Sequence, residues 1–211
     1  MKKLALILAL ALVALSFAAC ADKGYEEIIE NYYLALNDED GDAAILLYDE
    51  YFLEYACKEA DIDFDEDLDD YAKIIEDTLK AYNDRTDEEY DEDIDGLNEI
   101  KYVIDDVTFY EDEDDFEAIV DYLDDMFDYD AKAIEKIALL EIEEIYVGDE
   151  DEENEDVEVT LLKIDGNWYI CPVLGSEDVI DSAIDGDYKK EDKKKTEEAL
   201  SAAISALGSA E

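Results

Sequence analysis

Apolar positions recur along the chain with two different periods, and the change from one to the other divides a helical half from a sheet half. Tyr25, Ile28, Ile29, Tyr32 and Leu36 fall at helical spacing, which predicts a first helix over about 24–37. A polar break over 37–42 follows. Leu46, Leu47, Tyr51, Phe52 and Tyr55 then resume the helical period, so a second helix is expected over about 42–59 with Asp42 as its N-cap. Leu68, Tyr71, Ile74, Ile75, Leu79 and Tyr82 make the stripe of a third, about 67–83, and 84–97 reads as a polar loop.

Beyond that loop the period is two. Val103, Val107 and Phe109 share one face of a predicted strand. Phe116, Ile119, Val120, Leu123 and Phe127 interrupt it with a fourth helix, about 114–128. Residues 134–147 read as a long strand. Its alternation changes phase between Leu139 and Ile142, which predicts a bulge there. Residues 148–156 are almost wholly acidic and are expected as a solvated loop. Two more strands, 157–164 and 167–172, flank Asp165-Gly166, a pair suited to the positive φ angles of a type I′ turn. Trp168 and Ile170 then face one side, and Tyr169 and Cys171 the other. The expected class is α+β, with N-terminal helices on a curved, four-stranded, mainly antiparallel sheet. A short helix capped by Ser176 begins a helical or partly disordered tail over 175–211. That tail holds five lysines within seven positions, Lys189, Lys190 and Lys193 to Lys195.

The extreme N-terminus follows neither period. Lys2 and Lys3 precede an apolar run from Leu4 to Phe17, too short for the ~20 residues of a membrane-spanning helix. Small residues Ala18 and Ala19 and then Cys20 close it, as in a cleaved secretory leader. Leu15-Ser16-Phe17-Ala18-Ala19-Cys20 resembles the lipobox of bacterial lipoproteins. The resemblance implies cleavage after Ala19, lipidation of Cys20 and attachment of the protein to the outer face of a cell membrane. It divides the chain into a signal peptide (1–19), a lipidated tether (20–24), a domain (25–174) and the tail.

Charge changes the picture next. The chain carries 66 Asp and Glu against 16 Lys and Arg, a net −50 that becomes −52 once Lys2 and Lys3 leave with the leader. Such a body repels nucleic acid and anionic lipid alike, so no nucleic-acid partner is expected and the lipid on Cys20 must hold it to the membrane. Yet 49% of the residues are hydrophobic and 16 are Tyr, which suits a folded domain rather than a disordered one.

Candidate chemistry is sparse. The absence of His excludes His-based catalysis and His-ligated zinc. With Cys20 lipidated, Cys57 and Cys171 either pair as one disulfide in an oxidising compartment or pack as two buried thiols. Asp91, Asp93, Asp95 and Gly96 match the start of a calcium loop, D-x-D-x-D-G. Position twelve of that loop is Tyr102, where calcium needs a bidentate Glu, so the expectation is weak Ca2+ binding at most.

The order of elements and the hairpin from Thr160 to Ile170, with Asp165-Gly166 ahead of Trp168-Tyr169-Ile170, resemble lipoproteins carrying a cystatin-like or nuclear transport factor two-like cone. That resemblance implies a sheet wrapped around the N-terminal helices. It is nearly silent about activity, because the same cone serves isomerases, dehydratases and non-catalytic modules. The leading expectation is a non-catalytic binding or interaction module with a protein or small-molecule partner. The alternatives are a cone-fold isomerase or hydro-lyase using a Tyr/Asp pair, and a surface protein that responds to divalent cations.

Overall fold

The computed structural model describes residues 24–59, 62–64, 68–127, 133–149 and 151–188, with the backbone alone at Glu59 and 91–93. Its elements in chain order are α1 (Gly24–Asp38), α2 (Gly41–Ile45), α3 (Glu50–Glu59), α4 (Leu68–Ile94), β1 (Glu99–Phe109), α5 (Glu113–Phe127), β2 (Ile134–Val147), β3 (Glu152–Ile164), β4 (Asn167–Ile170) and α6 (Glu177–Ile184). The four strands form one antiparallel sheet in the order β1-β2-β3-β4, curved and open. The α+β expectation holds. Among the described residues no helix is long and apolar enough to cross a membrane.

The sheet is covered on both faces. Ile29, Tyr33 and Leu36 of α1 and Leu79 and Ile94 of α4 pack on Ile100, Leu140, Ile142, Tyr146, Leu161 and Trp168. On the other face Ile119, Leu123 and Met126 of α5 pack on Ile137, Leu139, Leu162 and Cys171. Ile180 and Ala183 of α6 belong to that second cluster, so the start of the tail is part of the folded body. A third cluster, with Leu53, Cys57, Tyr71 and Ala72, lies among the helices.

This two-sided burial explains the phase change in β2. No bulge lies between Leu139 and Ile142; the irregularity of β2 is at its start, where Glu135 is extra between Ile134 and Lys136, and from there the strand runs regularly, with only its first half covered on both faces, so residues 137–140 are all buried while 141–147 alternate. The bulge opposite this stretch is on β1, where Asp105 is extra between Ile104, paired with Ile142, and Asp106, paired with Glu141. It also corrects the expected strand face. Ile100, Tyr102 and Ile104 point to the helices before the bulge, Val107 and Phe109 after it, and Val103 is left 44% exposed.

The helical half differs from the pattern in two places. The second helix is two, because Leu47 turns inward and its carbonyl accepts from Ile170 N at 2.8 Å. Asp40 rather than Asp42 caps α2, accepting from Ala43 N at 2.9 Å, and Asp49 starts α3 by accepting from Phe52 N at 3.1 Å. The third helix continues to Ile94, through residues expected as loop, because nothing in that polar stretch breaks a helix before Asp95 (φ 53°) and Gly96 (φ 93°). Likewise β3 begins at Glu152: backbone pairing with Val147 to Glu143 carries the ladder through acidic residues that show their side chains to water.

The hairpin is as expected, with Asp165 at φ 50° and Gly166 at φ 82°. Both sheet edges are blunted. Leu47 covers β4 at Ile170. On β1, the Asn37 side-chain amide mimics a neighbouring strand: its Nδ2 donates to Ile100 O at 2.8 Å and its Oδ1 accepts from Ile100 N at 2.7 Å.

Candidate functional site

Two polar features stand out, one inside the helix-facing layer and one at its rim. The inner one is Glu144, on the face of β2 that also carries Ile142 and Tyr146 and only 3% exposed. Three phenols donate to it. Tyr33 of α1 reaches Oε1 at 2.7 Å; Tyr82 of α4 and Tyr146 reach Oε2 at 2.8 Å each. Glu155 lies directly across from Glu144 in the β2–β3 register. Like charges in that position repel. The Tyr146 hydroxyl, whose one proton is directed at Glu144, also lies 3.3 Å from Glu155, Tyr90 donates to Glu155 at 3.4 Å, and the Arg85 guanidinium lies 5.5 Å over the Tyr82 ring. A buried carboxylate is thus stabilised mainly by neutral donors.

The same surroundings keep the phenols protonated. Burial first, then the Glu144 carboxylate, holds Tyr33 well above the usual phenol range; burial does the same for Tyr146 and Tyr32, with Glu144 adding to it. Tyr82, half-buried, is pushed up to about 12, with burial the largest cause. A Tyr–carboxylate group can in principle relay a proton. Here the donors approach both carboxylate oxygens, and Glu144 and Tyr33 each expose only 3%, so a reactant has no approach to the carboxylate in this conformation.

The rim feature is a cleft of about 410 Å³ where the ends of α1 and α4 meet the start of β1. Glu39, Asp84, Asp87, Asp95, Glu99 and Asp149 line it together with Asn37, Asn83 and Asn98. Its shape is built by hydrogen bonds. Asp87 accepts from Leu97 N at 2.6 Å and fixes the turn after α4. Asn83 Nδ2 donates to Leu36 O at 3.0 Å and Glu39 at 3.3 Å, and Asn98 Nδ2 to Asp149 at 2.9 Å. Gly148 lets the β2 end approach α4 here, since a β-carbon on it would stand 1.9 Å from Ile94 O. The carboxylates are spread along the cleft; among the described residues no three acidic or Cys side chains converge as a metal ion would need.

The residues singled out from sequence fall as follows. Cys20 lies outside the described residues. Cys57 and Cys171 are buried free thiols in different clusters, Cys57 among the helices and Cys171 beneath α5 and α6. Burial raises both, Cys171 to about 12. Asp91 and Asp93 sit on the last turns of α4, so the backbone is helical where a calcium loop would be open; their side chains are outside the description. Asp95 alone of the three is placed, on the rim of the cleft. Glu144 and its phenols are not among the residues singled out by motif or composition. The signal was there: Glu144 occupies an inward position of an otherwise apolar alternation, Leu140, Ile142, Tyr146.

Compared with family models, curated proteins and solved structures, the chain matches none.

Proposed function

We propose that this protein is a non-catalytic binding module, held to the outer face of a cell membrane by lipid on Cys20, whose rim cleft receives a ligand with several separated positive charges. The cleft carries the proposal: among the described residues six carboxylates line one concavity and no basic side chain does. A ligand that brings its own cations relieves their mutual repulsion and gains from the field of the whole −50 chain. The spread of the carboxylates favours a polyamine or a Lys-rich peptide over a single ion.

Calorimetry with spermine and with an oligolysine peptide tests this. Glu39→Gln/Asp84→Asn/Asp95→Asn should weaken binding at least tenfold. Neutralising three exposed carboxylates on α5 (Glu113, Asp114 and Glu117) should leave it nearly unchanged. Equal loss in both triples would mean that charge density alone attracts cations and that the cleft is no site. The same titration with Ca2+ examines the divalent-cation alternative, including Asp91 and Asp93. Anchoring is tested separately: Cys20→Ala should move the protein from the membrane fraction to the soluble one.

The enzymatic alternative rests on Glu144 with Tyr33, Tyr82 and Tyr146, a Tyr/Glu rather than a Tyr/Asp group. It requires the cluster to open toward solvent, and the packed donors count against it. Kinship with cystatin-like or nuclear transport factor two-like lipoproteins remains a proposal supported by the helices ahead of a curved sheet and by the Asp165-Gly166 hairpin.

A further inference from the structure

The N-terminal end of α1 sets how the body can stand on a membrane. Gly24 starts α1 against Trp168; a β-carbon on Gly24 would lie 3.0 Å from the indole. Tyr25 sits edge-on to Phe109 at 6.1 Å and to Trp168 at 6.4 Å. Lys136 lies 5.9 Å over Phe109 and Lys163 5.8 Å over Trp168. A cleft of about 350 Å³, lined by Phe109, Phe116, Ile137 and Lys136 together with Glu111, Glu113 and Glu135, opens at this same end. From here α1 runs antiparallel to β1: Tyr25 meets Phe109, Tyr33 stacks on Tyr102 at 4.5 Å, and Asn37 grips Ile100 beside the acidic cleft. The two ends are therefore separated along α1 by about 18 Å, twelve residues at ~1.5 Å each.

Only Ala21, Asp22 and Lys23 separate Cys20 from Gly24. Fully extended, that tether reaches about 14 Å, at ~3.6 Å per residue. With the cleft end resting on the headgroups and α1 upright, Gly24 would stand about 18 Å above them, beyond the tether's reach. Lying flat would bring the cleft's carboxylates against an anionic surface, which electrostatics opposes. Resting on the proposal that Cys20 is lipidated, we infer that the Phe109–Trp168 end is a membrane-facing surface, seated on phospholipid headgroups, and that the acidic cleft is presented away from the bilayer.

Energy transfer from Trp168, the single tryptophan of the chain, to a dansyl-labelled headgroup lipid tests the orientation in vesicles of phosphatidylcholine and phosphatidylglycerol. Transfer from Trp168 should be several-fold stronger than from Trp168→Phe/Glu99→Trp, which moves the donor to the cleft end. Equal transfer means that the body lies flat, and reversed transfer that it stands the other way; either overturns the inference. Because loss of Trp168 could disturb packing, hydrogen exchange of the unaltered protein provides a second measurement. Vesicles should protect 109–116 and 134–137 and leave 95–99 unchanged; protection of 95–99 overturns the inference. Flotation of the same samples keeps the two proposals apart. If the native protein does not float, lipidation is refuted, and orientation is then read from a mature chain whose Cys20 thiol has been added to a maleimide lipid.

Discussion

Tyr33→Phe removes one hydroxyl from a place where water cannot substitute for it. Among the described residues Glu144 Oε1 receives Tyr33 alone, at 2.7 Å, and both residues are 3% exposed. Oε2 receives two donors, Tyr82 and Tyr146, and Tyr82 is only half-buried. Hydrogen bonds to a charged group contribute ~1.5–3 kcal/mol, and a buried acceptor left without a donor incurs its desolvation cost. Tyr33→Phe should therefore destabilise the fold by about 2 kcal/mol, a large part of the ~5–15 kcal/mol of a typical domain. Tyr82→Phe should cost about 1 kcal/mol or less, since Tyr146 stays on Oε2 as a donor. Urea unfolding at neutral pH, followed by circular dichroism with linear extrapolation, measures both, and the slope should not change. A double-mutant cycle sharpens the comparison: in the Glu144→Gln background, Tyr33→Phe should cost about half as much, because the charge that strengthened the bond is gone. If Tyr33→Phe proves no worse than Tyr82→Phe, or costs the same with and without the Glu144 charge, then the carboxylate does not depend on Tyr33 as described.

Alkali should unfold the protein progressively. The phenols of Tyr82 and Tyr110 are pushed up to about 12 in the fold, mainly by burial, against 10.0 for a free phenol. A raised folded value means that their stabilisation is complete below pH 10 and lost as pH rises toward 12. The urea midpoint should fall over that window, and a flat profile would contradict the burial of these groups. Gly41→Ala should cost about 3 kcal/mol, because its β-carbon would stand 2.0 Å from Ala72 O and 2.9 Å from Glu76 N, both backbone atoms. Gly166→Ala, at φ +82° with open space around it, should cost only the ~1–2 kcal/mol of a left-handed residue; thermal melts of the two variants should differ clearly. Added sodium chloride should raise the melting temperature by several degrees, since a Debye length of ~10 Å at 0.1 M already screens repulsion across the acidic surface. A melting temperature independent of salt would show that the carboxylates are too widely separated to strain the fold.

Local pattern and tertiary context divided the work in a way that particular residues make visible. Asp165-Gly166 could be placed from two letters, because only a few residues tolerate two successive positive φ angles and the flanking alternation leaves no other turn. The stripes of α1 and α5 were equally plain, since each buries one face. The end of α4 was not: its last turns are polar, and their helicity depends on Thr86 and Ile94 being buried against the rest of the body. The rim cleft was invisible for the same reason, being assembled from residues as far apart in sequence as Asn37, Asp87 and Asp149.

β2 shows the division most sharply. Its sequence by itself determines a long strand with one persistently inward face, because side chains alternate with period two whatever the surroundings. It cannot say where the second face ceases to be covered, for that depends on how far α5 and α6 extend over the sheet. Nor can it say that Glu144 is tolerable inside. The carboxylate is sustained by Tyr33 from α1 and Tyr82 from α4, which lie 111 and 62 residues away along the chain and meet it only when both helices lie down on the sheet.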